Sequence, residues 1–157
     1  MTTNAPPAYG TPVTLGQAKA VLAAAELEAA ANGWPLTLAI VDSGANLVAL
    51  HRMDNASLGS VDIAIAKAGT AVKFRRETKL LQDSVASGGV HLRLLAMPGM
   101  VPAEGGVPLV VGGRIVGAIG VSGMASGQDA QVAHAGAKGL LLALGDSPSG
   151  SRPPSAE

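Results

Sequence analysis

The most constraining feature of the chain is a stretch that is both glycine-rich and strongly apolar, VPAEGGVPLVVGGRIVGAIGVSGM at residues 101–124. A phosphate-binding glycine loop needs a strand before it and the N-terminus of a helix directly after it. Here Gly112-Gly113 stands between PLVV and RIVGAIGV, which are both β-type runs. Because adjacent glycines readily adopt the positive φ angles of a two-residue turn, the pattern predicts a β-hairpin and argues against a nucleotide site.

The second strand of this hairpin has one face made of small residues. Alternation places Ile115, Gly117, Ile119 and Val121 on one face, and Gly120 on the other face together with small or β-branched neighbours. Glycine within a strand marks a place where another backbone or a ligand approaches closely. We interpret the Gly120 face as the contact surface of a closely packed helix, with a neighbouring subunit or a ligand as the alternatives.

The first part of the chain predicts a helix followed by a hairpin. Thr14 and Gln17 have the spacing of a capping box, and the helical periodicity that follows ends at Asn32-Gly33. The runs PLTLAIV (35–41) and LVALHR (47–52) flank the turn residues DSGAN, which is typical of a β-hairpin.

Helices are predicted on both sides of the glycine-rich hairpin. An Ala-rich helix begins at Ser60, with Asp54 or Ser57 as a candidate cap, and a shorter helix is predicted to be capped by Thr78. After the hairpin, Ser126 and Asp129 form a candidate cap pair for the last helix. The predicted order is helix, hairpin, two helices, hairpin, helix.

Small side chains dominate the predicted core. Of the 157 residues 48% are apolar, yet only 2% are aromatic. A core of Ala, Val, Leu and Ile fills space only when backbones come close together. We predict one domain over residues 13–145, between a mobile N-terminal tail (1–12) and a disordered C-terminal tail (146–157), and we expect self-association to add burial.

Charge and cysteine content exclude several classes of function. Lys plus Arg and Asp plus Glu both number 11, so the chain has no basic excess for nucleic acid. It has no cysteine, which excludes disulfides, thiolate metal sites and Cys nucleophiles. We find no leader peptide and no membrane-spanning run, and therefore expect a cytoplasmic protein that binds neither nucleic acid nor membrane.

Three segments carry a resemblance to a known family. They are AIVDSGANLVALHRMDNAS (39–57), AKAGTAVKF (66–74) and GGVPLVVGGRIVGAIGVSGMASGQDAQVAHAG (105–136). In this order and spacing they resemble the GlcG/HbpS family, also called the haem-degrading or DUF336 domain. The resemblance implies an α/β fold of profilin/PAS-like type, with an antiparallel sheet and packed helices. It also implies homo-oligomers as large as octamers and, in several members, binding of haem or another tetrapyrrole.

The chain departs from the haem-binding relatives in its first helix. There a histidine has been implicated as an iron ligand, whereas LGQAKAVLAAAELEAAANG contains none. A bound haem would need another ligand, such as His51, His91 or His134, or would depend on apolar contacts and pairing of its propionates. No two of these histidines have the short spacing of a metal motif, so no metal site is predicted.

Other residues are candidates for ligand binding or proton transfer. Arg52 is expected either to pair with Asp54 or to bind a ligand carboxylate. Lys67, flanked by alanines, either reaches the wet edge of its helix or points into a site as an anion anchor. Gly105 and Gly106 complete the predicted ligand-binding set. For proton transfer, His91 and Glu104 are the candidates because both are expected in loops.

Three hypotheses about function follow. The first is a homo-oligomeric protein that binds haem or a related anionic planar ligand through Arg52 and Lys67. The second is an enzyme acting on a small oxoacid or cyclic metabolite, with His91 or Glu104 transferring a proton. The third is a scaffold subunit without a ligand.

Overall fold

In a computed structural model that describes residues 5–145, the chain forms one mixed sheet covered by helices on both faces. The elements in chain order are β1 (Ala8–Tyr9), α1 (Leu15–Asn32), β2 (Thr37–Asp42), β3 (Leu47–Arg52), α2 (Gly59–Phe74), α3 (Thr78–Ala86), a 3₁₀ helix (Gly89–Ala96), β4 (Gly106–Val111), β5 (Arg114–Ser122) and α4 (Ser126–Gly145). The predicted α/β class and the predicted order are confirmed, while β1 and the 3₁₀ helix were not predicted. None of the helices in the described range is long and apolar enough to cross a bilayer.

The long strands of the sheet follow the order β4-β5-β2-β3. Residues 117–120 of β5 pair with both β2 and β4, so β5 is an inner strand and β3 and β4 lie at opposite edges. These pairings are antiparallel, as predicted. Only β1 departs from the prediction, because it pairs with β5 in parallel.

The segment before α1 is attached to the sheet rather than free. Tyr9 pairs with Ile115, and its hydroxyl donates to the Val72 carbonyl at 2.9 Å. The Gly10 and Val13 amides also donate to carbonyls of β5, each at 2.8 Å. The prediction of a mobile tail over residues 1–12 is therefore wrong for residues 8–10, because their backbone groups pair with β5. Residues 1–4 and the predicted tail at 146–157 lie outside the described residues.

The first helix has the termini that its sequence predicts. The Thr14 hydroxyl accepts from the Gln17 amide at 3.1 Å, and the Gln17 side chain accepts from the Thr14 amide at 2.9 Å. Gly33 ends the helix in the left-handed conformation, with a φ of 70°. The capping box therefore fixes where α1 starts, and the glycine fixes where it stops.

The predicted caps of the other helices are wrong. The N-cap of α3 is Glu77, and the Thr78 hydroxyl instead accepts from the Gly106 amide at 2.8 Å. The N-cap of α2 is Leu58, so neither Asp54 nor Ser57 caps that helix through its side chain. Asp129 does not pair with Ser126; it accepts from the Met124 amide and is otherwise turned toward α2. The side chains of Thr78 and Asp129, which local spacing assigned to caps, instead bond to residues distant in sequence.

The glycine-rich hairpin is confirmed, but its strands do not alternate strictly. Gly112 and Gly113 form the turn with φ angles of 56° and 74°. A bulge between Leu109 and Val110 shifts the register, so that Val110 pairs with Ile115 and Leu109 with Gly117. As a result Ile115 packs on the α2 side of the sheet, not beside Ile119 as alternation predicts.

The Gly120 face receives a helix, as interpreted. A Cβ at Gly120 would lie against the Ala64 carbonyl and 2.6 Å from the Ala68 amide nitrogen. Both atoms belong to the backbone of α2, which cannot yield as a flexible side chain would. The strand thus needs glycine at this position because the helix backbone lies directly on it.

The core has two parts, one on each side of the sheet. The larger part lies between the sheet and the pair α1 and α4, and the smaller part lies under α2. Fully buried side chains of the larger part include Leu22, Leu38, Ile40 and Val121. Burial of each such side chain stabilises the fold by about 1.5–3 kcal/mol.

Candidate functional site

A buried ion pair joins α2 to α4. The Lys67 ammonium lies 2.9 Å from an Asp129 carboxylate oxygen, and it also donates to the Val121 carbonyl at 2.9 Å. The two side chains are only 4% and 3% exposed. Lys67 therefore does not reach the wet edge of its helix, and its charge is compensated within the chain.

The pair carries a desolvation cost. Burial raises the pKa of the Asp129 carboxyl above its ordinary value, although the hydrogen bonds from Lys67 and Met124 act in the opposite direction. A buried charge that lost its partner would be costly. This arrangement suits a structural link between helices.

The two glycines of the predicted ligand-binding set lie against this pair. A Cβ at Gly105, where φ is 122°, would lie 2.6 Å from the Val121 carbonyl and 3.0 Å from Lys67 Nζ. A Cβ at Gly106 would lie 2.5 Å from the Lys67 carbonyl. Both glycines are buried, and the close approach of α2 and β5 accounts for them.

Of the two candidates for proton transfer, Glu104 directly precedes Gly105 of this cluster, whereas His91 lies on the 3₁₀ helix. Glu104 is half-buried, and its amide donates to the Gln82 side chain at 2.9 Å. The pKa of the Lys79 ammonium is raised by its hydrogen bond to Asp83 and, to a smaller extent, by the charge of Glu104. His91 is exposed on the 3₁₀ helix, and within residues 5–145 no hydrogen bond or ion pair joins it to Glu104.

Arg52 lies at the opposite edge of the sheet from Gly106. It ends β3, which is three strand spacings, or about 14 Å, from β4. The expected pair with Asp54 is not formed among the described residues. The structure therefore brings Lys67, Gly105 and Gly106 together but separates Arg52 from them.

The edge that contains Arg52 carries a continuous depression. One part has a volume of about 590 Å³. The adjoining part has a volume of about 410 Å³ and runs along α1. Because Glu26 and His51 line both parts, we treat them as one feature, the α1–β3 groove. Its lining residues are Lys19, Ala23, Glu26, Leu27, Ala30, Leu50, His51, Arg52, Met53 and Asp54.

A histidine and a carboxylate form a pair in the middle of this groove. His51 Nδ1 lies 2.8 Å from a Glu26 carboxylate oxygen, and both side chains are 48% exposed. Glu26 is contributed by α1 and His51 by β3, so packing of the helix on the edge strand creates the contact. The hydrogen bond leaves His51 Nε2 as the ring nitrogen available to a ligand.

The surroundings of the pair combine apolar side chains with the basic Lys19 and Arg52 and the acidic Asp54. Residues 19, 23, 26, 27 and 30 follow helical spacing, so one stripe of α1 forms a wall of the groove. Leu27 is 74% exposed on this wall, which leaves apolar surface free for contact. Lys19 and Arg52 supply positive charge on the two sides of Glu26. The groove therefore combines an exposed imidazole, apolar contact surface and two cationic side chains.

The third histidine has a different environment. His134 is exposed on α4, where its Nε2 lies 3.3 Å from a Glu77 carboxylate oxygen. No group of histidine and acidic residues within residues 5–145 has the arrangement of a metal site. Of the histidines, only His51 lines the α1–β3 groove.

Sequence reasoning missed the partner residues of both charged pairs. Asp129 was assigned to a cap, and nothing in the local pattern links it to Lys67, 62 positions away. Glu26 and Lys19 have the periodicity of an ordinary exposed helix face. The available signal was the position of Lys67 among alanines. It indicates that this lysine, if buried, needs an acidic or hydrogen-bonding partner.

Comparison with known proteins identifies the family. The family model described as haem degrading protein HbpS-like matches residues 13–138. The chain belongs to the HbpS-like family. The protein GlcG of Escherichia coli strain K12 is 44% identical to this HbpS-like chain over 114 residues, which are 71% of the chain and 84% of GlcG.

Solved structures share the HbpS-like fold described above. The Klebsiella pneumoniae protein ORFY superposes with a TM-score of 0.80 at 26% identity, over 90% of this chain and 97% of ORFY. A PduOC–haem complex superposes with a TM-score of 0.75 at 27% identity, over 82% of this chain and 95% of PduOC. The resemblance seen in the sequence is thereby confirmed.

Proposed function

We propose that this HbpS-like protein binds haem, or a related anionic planar ligand, in the α1–β3 groove, and that it acts as a homo-oligomer. The observation that carries the proposal is the exposed imidazole of His51 in a groove that also exposes Leu27 and is lined by Lys19 and Arg52. The family description and the haem complex of PduOC support the choice of ligand.

The residues of the groove fit each part of a haem. Histidine is a common axial ligand of haem iron, and His51 Nε2 is the nitrogen that would serve. Arg52 and Lys19 would pair with the propionates, and the apolar stripe of α1 would contact the macrocycle. When bound, haem supplies a redox-active iron; the chain supplies the ligand, the charges and the apolar contact.

The proposed ligand-binding residues differ from those predicted from the sequence. Arg52 is retained because it lines the groove. Lys67, Gly105 and Gly106 are assigned to the buried link between α2, β4 and α4 instead, since the lysine is already paired and both glycines are covered. Lys19 and His51 take their place.

The open shape of the groove supports the homo-oligomer. Both walls belong to one chain, and the groove remains exposed on its outer side, where Leu27 and His51 are accessible. The 3₁₀ helix adds apolar surface, because none of its residues is buried. Its side chains Val90 and Leu95 are 67% and 63% exposed. Association of subunits through such surface would compensate for the small core.

A hemin titration followed by Soret absorbance tests the ligand. We expect a saturable Soret shift at micromolar hemin, with one equivalent bound per chain. Metal-free protoporphyrin IX should bind more weakly, since it lacks the iron that His51 would ligate. A linear, unsaturated response to hemin at micromolar concentration would overturn the proposal.

Charge variants test the location. Arg52→Gln is expected to weaken hemin binding severalfold, because it removes a cation from the groove while leaving the sheet edge intact. Arg114→Gln is the matched control, since Arg114 is also an exposed arginine on a strand. It lies at the start of β5, where its guanidinium donates a hydrogen bond to the Tyr9 carbonyl. Equal losses in the two variants would place the ligand outside the groove.

A further inference from the structure

We propose that Glu26 is a positioning residue for His51: its carboxylate holds the imidazole in the tautomer that presents Nε2 and increases the electron density on that nitrogen. This inference rests on the proposed function, because it assigns a role to Glu26 toward a haem iron ligated by His51. It does not follow from the family resemblance, which places the ligand in the first helix.

The geometry selects one tautomer. A carboxylate only accepts hydrogen bonds, so at 2.8 Å the proton of a neutral His51 must lie on Nδ1. Nε2 is then deprotonated and free to donate its lone pair. Without the carboxylate, either ring nitrogen can carry the proton, and the ring can rotate about its side-chain bonds.

The two backbones fix the contact. His51 lies in β3, where it pairs with Leu38 of the central strand β2. Glu26 lies in the middle of α1, next to Ala25, which is completely buried in the core. Since neither backbone is in a loop, the pair is set by the packing of α1 on the sheet and is present before any ligand binds.

Nearby charged groups do not duplicate the contact. Lys19 lines the groove two helical turns before Glu26, and Arg52 and Asp54 line it beside His51. None of these makes an ion pair with Glu26 or His51 among the described residues. The other acidic residue of this part of α1, Glu28, is directed to Asn32 and to Gln131 of α4.

The same pair has a consequence for bound iron. A carboxylate on the far nitrogen raises the basicity of a ligating histidine, and outer partners of this kind change metal affinity about 10–100-fold when removed. Stronger donation from Nε2 stabilises the ferric state over the ferrous state. The reduction potential of bound haem is therefore expected to be lower with Glu26 than without its charge.

The first experiment uses the protein without haem. Because the chain has three histidines, its imidazole nitrogens are resolvable by ¹⁵N nuclear magnetic resonance. At a pH where His51 is neutral, we expect the Nδ1-protonated tautomer in the wild type and a mixture in Glu26→Ala. Glu26→Gln keeps an acceptor oxygen but adds an NH₂ donor that can pair with an unprotonated Nδ1, so its tautomer ratio should fall between those of the wild type and Glu26→Ala. An Nε2-protonated His51 in the wild type would overturn the inference.

The second experiment loads the same variants with hemin. Glu26→Ala is expected to weaken hemin binding at least tenfold, whereas Glu26→Gln should bind nearly as the wild type does but with a higher reduction potential. Glu28→Gln is the matched control, since it removes a carboxylate from α1 that does not contact His51, and it should change neither quantity.

The outcomes separate the two proposals. If the wild type does not bind hemin, the proposed function fails. If the wild type binds and His51→Ala does not, while both Glu26 variants behave as the wild type, the proposed function stands and the role of Glu26 is refuted. A change of potential in Glu28→Gln equal to that in Glu26→Gln would also refute it, because a general loss of charge would explain both.

Discussion

Gly120 and Gly113 belong to the same hairpin but have opposite surroundings. A side chain at Gly120 would collide with the backbone of α2, whereas a Cβ at Gly113 would have no heavy atom within 4 Å. We predict that Gly120→Leu destabilises the fold by about 1–3 kcal/mol or more, through overpacking. Gly113→Asn should be tolerated, since asparagine also accepts the φ of 74° found there.

Thermal and denaturant unfolding of the two glycine variants measure this contrast. The packing argument is contradicted if Gly120→Leu unfolds like the wild type. A greater loss of stability in Gly113→Asn than in Gly120→Leu would instead contradict the assignment of the turn.

The Lys67–Asp129 pair predicts strong coupling between two residues that are distant in sequence. Lys67→Met alone should destabilise by about 3–5 kcal/mol, because it leaves a buried carboxylate without its partner. Adding Asp129→Leu to the Lys67→Met variant should lower the free energy of unfolding much less than Asp129→Leu does in the wild type. A double-mutant cycle by chemical denaturation measures the coupling, and strictly additive effects would show that the pair does not form.

Packing between α1 and α4 depends on a small residue of α4. A Cβ at Gly139 would lie against the Cβ of Ala24 on α1, while a Cβ at Gly127, near the start of the same helix, would meet nothing within 4 Å. Gly139→Ala is therefore expected to destabilise by about 1–3 kcal/mol by separating the helices. Gly127→Ala should be neutral or stabilising by up to about 1 kcal/mol, since alanine favours the helix.

The midpoint of chemical denaturation distinguishes these variants. Because alanine is the better helix former, a loss of stability in Gly139→Ala reports the helix contact and not helix propensity. Equal midpoints would mean that α1 and α4 do not depend on close approach at Gly139.

Elements were predictable where local chemistry determines them. The capping box at Thr14 and the Gly112-Gly113 turn each involve neighbours in sequence, and both are present in the structure. The bulge near Val110 and the bond from Gly106 to Thr78 depend on contacts between distant segments. Periodicity assigns each residue to a face only as long as the register is unbroken, which is why Ile115 was placed on the wrong side.

The candidate site was predictable to a smaller extent than the fold. Arg52 and His51 were singled out as residue types, but the groove arises where α1 lies across β3, and the sequence does not show which helix face meets which strand edge. The lysine at position 67 attracted a ligand assignment because its partner, Asp129, was not evident. Residue types could therefore be singled out from the sequence, whereas which of them lie together depends on the tertiary packing.

Across the whole molecule, exposed apolar surface predicts self-association. Leu92 and Leu95 are 49% and 63% exposed on a 3₁₀ helix without buried residues. We expect the wild type to elute as an oligomer, and Leu92→Gln with Leu95→Gln to lower the mass measured by light scattering. Leu58→Gln, at a single exposed leucine before α2, is the control. A wild-type monomer, or an unchanged mass in the double variant, would contradict this assignment.

The central claim is that haem binds in the α1–β3 groove with His51 as the iron ligand. The most direct test compares hemin titrations of three variants, His51→Ala, His91→Ala and His134→Ala, each of which removes one exposed imidazole. We predict that His51→Ala loses the Soret shift or weakens binding at least tenfold, while the other two titrate as the wild type does. Wild-type binding by His51→Ala, or loss of the shift in either of the other variants, would contradict the account.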